Sequence, residues 1–120
     1  MARTIMTVDD SNSMRQMVKA TLQSAGYEVV EAIDGEEALE YARESNVDLV
    51  ITDVNMPRMD GITLVSELRA LPGYRLTPML VLTTESSPEK KMAGKKAGAT
   101  GWIVKPFDPT QLLATLARVL

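Results

Sequence analysis

Asp9, Asp10, Asp53, Thr83 and Lys105 are the residues of this sequence best suited to do chemistry together. Each follows or closes a short apolar run. Ile5-Met6-Thr7-Val8 runs into Asp9-Asp10, Leu49-Val50-Ile51-Thr52 into Asp53, Met79-Leu80-Val81-Leu82 into Thr83, and Trp102-Ile103-Val104 into Lys105. If the runs are parallel strands, three carboxylates, a hydroxyl and an ammonium converge at one end of a sheet. Two carboxylates ~4 Å apart repel by ~4 kcal/mol at an effective dielectric near 20. Three stay ionised together only beside a cation. Oxygen ligands without nitrogen or sulfur suit Mg²⁺ or Mn²⁺. Lys105 can neutralise one further charge but cannot replace a divalent ion. Asp53 so placed reads as a chemically used carboxylate at the end of a buried strand, with a metal, a cation and a hydroxyl supplied around it.

The surrounding elements alternate. After the first run, Ser11 caps a helix with Met14, Met17, Val18, Leu22 and Ala25 at helical spacing, and Gly26 ends it. Val29-Val30 with Ala32 reads as a second strand. Asp34-Gly35 starts a helix that turns Ala38, Leu39 and Ala42 inward and Glu36, Glu37, Glu40 and Glu44 outward. Val47 to Thr52 is the third strand. Asp60-Gly61 starts a helix with a stripe of Ile62, Leu64, Val65, Leu68 and Leu71, stopped by Pro72-Gly73. Met79 to Thr83 is the fourth strand. Ser87-Pro88-Glu89 combines an N-cap, a proline at the first helical position and an acid in the first turn. The helix it opens carries Lys90, Lys91, Lys95 and Lys96 and ends near Gly98. Trp102 to Val104 is the fifth strand. Asp108-Pro109 opens a last helix that buries Leu112, Leu113, Leu116 and Val119. Met14, Met17, Met59, Met79 and Met92 read as core or rim filler. Five β–α repeats with uniformly apolar strands predict a doubly covered parallel sheet within one domain, residues 1–120.

Composition removes several classes of function. The chain of 120 residues has no cysteine and no histidine, which excludes disulfides, thiolate or imidazole metal sites, and histidine-based catalysis. No stretch approaches the ~20 apolar residues of a membrane span, and Asp9-Asp10 interrupts any signal-peptide run. A soluble cytoplasmic protein is the expectation. Residues 1–60 hold 5 Lys/Arg against 12 Asp/Glu, and residues 61–120 hold 8 against 4. The two halves therefore present different electrostatic surfaces. The sequence pI near 4.9 argues against nucleic-acid binding.

Taken in order, Asp9-Asp10, Asp53 in Asp-Val-Asn-Met-Pro, Met59-Asp60-Gly61, Thr83, Gly98-Ala99 and Lys105-Pro106-Phe107 resemble the receiver domains of response regulators, nearest to the single-domain chemotaxis members. The resemblance spans almost the whole chain. It implies a flavodoxin-like (βα)5 fold, doubly wound, with strand order 2-1-3-4-5. It also implies a phosphoacceptor signalling protein of a two-component system, not an enzyme, that assists its own phosphorylation and dephosphorylation. Asp53 would take a phosphoryl group from a histidine kinase of the CheA type. Mg²⁺, with Mn²⁺ possible, would be held by Asp10, Asp53 and the backbone carbonyl of Asn55, and by Asp9 through water. Lys105 would pair with a phosphoryl oxygen, Thr83 would swing toward it, and Trp102, where tyrosine is commoner, would move inward behind it. The Lys105-Pro106 bond would be cis. Asn55 and Glu85 would tune the lifetime of the phosphoryl group.

Lys90, Lys91, Lys95 and Trp102 would line a partner surface for a downstream protein such as a flagellar motor switch component. The chain would act as a monomer without membrane or nucleic-acid partners. Within the same resemblance, a phosphate sink, a phosphorelay receiver and a receiver cut from a larger regulator stand as alternatives. An aspartyl-phosphate phosphatase also uses a strand-end aspartate. It normally wants a second acid two residues on, where this chain has Asn55, and a cap insertion that this sequence lacks.

Overall fold

The structure is a computed structural model that describes residues 2–120. Its strands are β1 (Thr4–Val8), β2 (Glu28–Ala32), β3 (Leu49–Thr52), β4 (Met79–Thr83) and β5 (Gly101–Val104). Its helices are α1 (Asn12–Ser24), α2 (Gly35–Glu44), α3 (Gly61–Arg69), α4 (Pro88–Ala97) and α5 (Pro109–Val119), with a 3-10 turn at Pro72–Tyr74. All four strand pairings are parallel, in the order β2-β1-β3-β4-β5. This is the flavodoxin-like arrangement. The crossovers diverge on either side of the β1–β3 pair, which opens a crevice at the carboxyl ends of those strands.

Alternation along each strand explains why both faces are covered. Ile5, Leu49, Ile51, Leu80 and Leu82 point to one face and pack with Val18 and Leu22 of α1 and Leu112 and Leu116 of α5. Met6, Val8, Val50 and Met79 point to the other and pack with Ala38, Leu39 and Ala42 of α2 and Leu64, Val65 and Leu68 of α3. Val8 pairs with Thr52 in register, so Asp9 and Asp53 leave adjacent strands side by side. Among the described residues, no helix is long and apolar enough to cross a membrane.

Each helix starts on a side-chain cap. The oxygens of Ser11, Asp34, Asp60, Ser87 and Asp108 accept backbone N–H bonds from the first turns of α1 to α5 respectively. Gly98 ends α4 in the left-handed region at φ 111°, where glycine carries no Cβ penalty. Three details differ from the expectation. Met17 and Met92 are 57% and 54% exposed, so neither fills the core. Ala25 lies beyond α1 as its C-cap and is exposed. Helical spacing marks a stripe but not its edges. Moreover, α4 lies over the edge of the sheet and buries only Gly94.

Asp34 does more than cap α2. One carboxylate oxygen accepts the Glu37 N–H at 2.9 Å, and the other accepts Nε of Arg58, in the β3–α3 loop, at 2.8 Å. Burial alone would raise its pKa, but the Glu37 N–H and the Arg58 guanidinium outweigh burial and hold it below the usual carboxylate range. A depressed carboxylate stabilises the fold above its unfolded pKa near 3.9 and loses that contribution as pH falls through the folded value. Asp34→Ala is therefore expected to lose about 2 kcal/mol at neutral pH. In urea unfolding, the gap from the wild-type protein should narrow in strong acid; a gap that does not change with pH would refute the pairing.

Candidate functional site

The three acids meet at the carboxyl ends of β1 and β3. One carboxylate oxygen from each of Asp9, Asp10 and Asp53 lies within 4.8 Å of the others. Asp9 is buried, Asp53 half-buried and Asp10 exposed. Lys105 reaches over β4 from the end of β5. Its Nζ donates to Asp9 Oδ2 at 2.9 Å and to Asp53 Oδ2 at 3.2 Å. The remaining acceptors are held locally, with Asp9 Oδ1 taking the Ser11 N–H at 2.9 Å and Asp53 Oδ1 the Val54 N–H at 2.7 Å.

Electrostatics follow from the count. Burial works against the charge of Lys105, but its hydrogen bond to Asp9 and the charges of Asp53 and Asp9 outweigh that, so its pKa is raised. Three carboxylates against one ammonium leave two negative charges, which one divalent cation matches. The donor set is all oxygen, as Mg²⁺ prefers. The residues present therefore fit a hard divalent ion.

The other expected site residues fall around this cluster but do not all touch it. Thr83 is fully buried at the end of β4, and its hydroxyl accepts the Glu85 N–H at 3.2 Å. Trp102 is half-buried on β5, and its Nε1 donates to the Glu85 carbonyl at 2.9 Å. Asn55 is exposed in the loop after Asp53. The Lys105–Pro106 peptide is cis. Lys90, Lys91 and Lys95 are exposed on α4. Lys91 and Lys95 border a cleft of about 240 Å³ whose other walls include Ala99, Thr100 and Trp102.

The structure gives several residues a part in the site that the sequence does not mark. A Cβ on Gly61 would lie 1.8 Å from the Asp53 carbonyl oxygen, so only glycine lets α3 begin against the phosphoacceptor candidate. Gly35 plays the same part for Met59, whose atoms would lie 2.8 Å from a Cβ there. Arg15 donates to the Asp9 carbonyl at 2.6 Å. Arg58 ties the β3–α3 loop to Asp34 while its own backbone is left-handed at φ 66°. Asp-Gly at 60–61 was legible as a helix start, but the neighbour that demands glycine there was not.

A doubly wound parallel domain with an acid cluster at its switch point, bridged by a lysine from the last strand, has the architecture of a receiver. The family model described as "Response regulator receiver domain" matches residues 5–117, and the chain belongs to that family of signalling proteins. Among solved structures it resembles chemotaxis protein CheY4 of Vibrio cholerae, with 56% identity, 100% of each chain covered and a TM-score of 0.95. It also resembles the receiver domain of sensor histidine kinase PA1611 from Pseudomonas aeruginosa, with 28% identity, a TM-score of 0.91, and 98% of this chain and 97% of that one covered. That structure has a magnesium ion coordinated in its active-site cleft. Chemotaxis protein CheY1 of Helicobacter pylori (strain J99) is 42% identical over 119 residues, covering 97% of this chain and 95% of that protein. The chain spans about half the length, 49%, of the mycobacterial transcriptional regulators that it matches at 37% identity.

Proposed function

We propose that this chain is the phosphoacceptor of a two-component system and acts in the cytoplasm as a chemotaxis-type response regulator. The observation that carries this is the Asp9–Asp10–Asp53 cluster with Lys105 on Asp53. In the proposed reaction an Asp53 carboxylate oxygen attacks phosphorus of a phosphohistidine on a CheA-type kinase. The P–N bond breaks, the imidazole leaves, and Asp53 carries the phosphoryl group. Asp10, Asp53 and the Asn55 carbonyl would hold Mg²⁺, or Mn²⁺, with Asp9 acting through water. When bound, the ion neutralises charge on the group in transfer. Lys105 turns from Asp53 Oδ2 to a phosphoryl oxygen.

A phosphorylated side chain carries roughly −1.5 to −2 charge at neutral pH. Thr83 gives up the Glu85 N–H and turns its hydroxyl to that charge. The Glu85 carbonyl moves with the loop, and Trp102, bonded to it, moves too. The cleft beside Lys91, Lys95 and Trp102, with Lys90 exposed on the same helix, then changes shape for a downstream target such as a motor switch protein. Asn55 and Glu85 flank the path of attacking water and set the lifetime of the signal in a self-assisted dephosphorylation. The 120 residues form a single receiver domain that works as a monomer. The full-length match to CheY4 and CheY1 supports the chemotaxis role.

The half-length match to transcriptional regulators supports a second reading, a receiver that belongs to a longer regulator. The genomic reading frame decides between them.

Acetyl phosphate with Mg²⁺ is expected to add one phosphoryl group, seen by intact mass, and Asp53→Asn to abolish it. Labelling of the variant equal to that of the wild-type protein would overturn the assignment of Asp53.

A further inference from the structure

Asp10 differs from its neighbours in that, among the described residues, no partner holds its side chain. It is exposed, and among the described residues no ion pair reaches its carboxylate. Its position is therefore set by the backbone that precedes it. That backbone is gripped at Asp9, whose N–H donates to the Ala32 carbonyl at 3.1 Å and whose carbonyl accepts Nη1 of Arg15 at 2.6 Å. Because the peptide unit is planar, fixing the Asp9 carbonyl fixes the plane of the Asp9–Asp10 bond. The plane places the Asp10 nitrogen and Cα, the atoms from which its side chain starts.

Arg15 is itself held in place. Its Nε donates to Glu31 Oε1 at 3.2 Å and its Nη2 to Asn12 Oδ1 at 3.1 Å, and its side chain is only 11% exposed. Gln16 and Lys19 also converge on the Glu31 carboxylate, each at 3.1 Å. Burial would raise the Glu31 pKa, but the hydrogen bonds from Lys19 and Arg15 and their charges outweigh it, so Glu31 stays ionised as the anchor. Three acceptors in three directions suit the rigid fork of a guanidinium, and a single ammonium cannot span them.

The structure assigns Arg15 as a positioning residue for the metal-binding acids: it sets the Asp9–Asp10 peptide from behind, so that the Asp10 carboxylate faces the cation beside Asp53. This assignment rests on the Mg²⁺ reading above. Outer partners of this kind commonly govern about 10-fold to 100-fold in metal affinity.

The sign of the effect separates positioning from charge. As a charge, Arg15 repels a divalent ion, so removing it would tighten binding. As a positioner, removing it weakens binding. The test is calorimetric titration of Mg²⁺ into the wild-type protein, Arg15→Met and Asp10→Asn, together with the Mg²⁺ dependence of phosphorylation by acetyl phosphate. Arg15→Met is expected to bind Mg²⁺ about tenfold more weakly, with the half-saturating Mg²⁺ raised alike and the rate at saturating Mg²⁺ unchanged. Affinity that is unchanged or tighter overturns the assignment. So does a lower saturated rate at unchanged affinity. If the wild-type protein binds no Mg²⁺, or Asp10→Asn binds it equally well, the metal reading itself fails. Should Arg15→Met lack a cooperative unfolding transition, Glu31→Gln puts the same question, since it keeps Arg15 and every acid of the site. Weaker Mg²⁺ binding there supports the assignment, and wild-type affinity overturns it.

Discussion

Lys105→Met is expected to slow phosphorylation of Asp53 by about 100-fold or more and, in the same variant, to tighten Mg²⁺ binding to the unphosphorylated protein. The two effects have opposite signs because the proposed reaction gives Lys105 two successive partners. Before transfer its ammonium sits 2.9 Å from Asp9 Oδ2 and 3.2 Å from Asp53 Oδ2, with the side chain only 10% exposed. It thus competes with a divalent cation for carboxylate charge. Methionine fills much the same volume without the charge. The cluster then holds three carboxylates with no ammonium, and a divalent ion gains attraction at both Asp9 and Asp53.

During transfer the balance reverses. In the proposed transfer the phosphoryl oxygens need a positioned donor, and methionine supplies none. The raised pKa of Lys105, in which its Asp9 hydrogen bond and the two carboxylate charges overcome burial, keeps it charged through the neutral range. A raised lysine contributes stability below its unfolded pKa near 10.4, and that contribution is lost only as pH rises through the higher folded value. Both effects should therefore persist across neutral pH. Intact-mass kinetics with acetyl phosphate and calorimetry with Mg²⁺ measure them separately. If rate and Mg²⁺ affinity fall together, Lys105 is a scaffold for the acids and not a competitor for them.

Much of this arrangement was legible because strand-end chemistry travels with strand patterning. An apolar run that stops at Asp9, Asp53, Thr83 or Lys105 fixes both the strand and the end at which the side chain emerges, and parallel pairing then brings the ends together. The residues that tie loops and helix ends together were less legible, since their partners carry no signature in the sequence. Arg69 illustrates this: it donates to the carbonyls of Tyr74, Thr77 and Gly98 and so pins the end of α4 to the 3-10 turn. No spacing rule marks an arginine for that work. Arg58 and Asp34 pair across 24 residues for the same reason. Trp102 could be placed on the last strand, but not bonded to the Glu85 carbonyl, because the course of the β4–α4 loop is set by its packing. The stripe of the first helix erred at its margins, as Met17 and Ala25 show.

Gly61→Ala tests a feature that helix propensity alone would misjudge. Alanine is favoured over glycine in a helix by about 1 kcal/mol, and Gly61 is the first residue of α3, which makes the change look stabilising. The surroundings decide otherwise. A Cβ there would stand 1.8 Å from the Asp53 carbonyl oxygen, 2.8 Å from its carbonyl carbon and 3.1 Å from Thr52 Oγ1. The first two are backbone atoms and cannot rotate away. Nor can α3 slide freely, because the Gly61 N–H is bonded to the Val54 carbonyl at 2.9 Å and Asp60 caps the helix through the Thr63 N–H at 2.8 Å. The displacement must be taken up at Asp53 itself. The expected result is a net loss of about 3 kcal/mol in urea unfolding, with weakened Mg²⁺ binding in whatever fraction stays folded. Gly94→Ala is the informative contrast. There the new Cβ would lie 2.7 Å from the ring of Trp102, a side chain that can move. That variant should lose less stability and change the Trp102 fluorescence instead. Equal or greater stability in Gly61→Ala would mean that the β3–α3 loop yields easily, and that Asp53 is held by Lys105 and the Val54 N–H rather than by the close approach of α3.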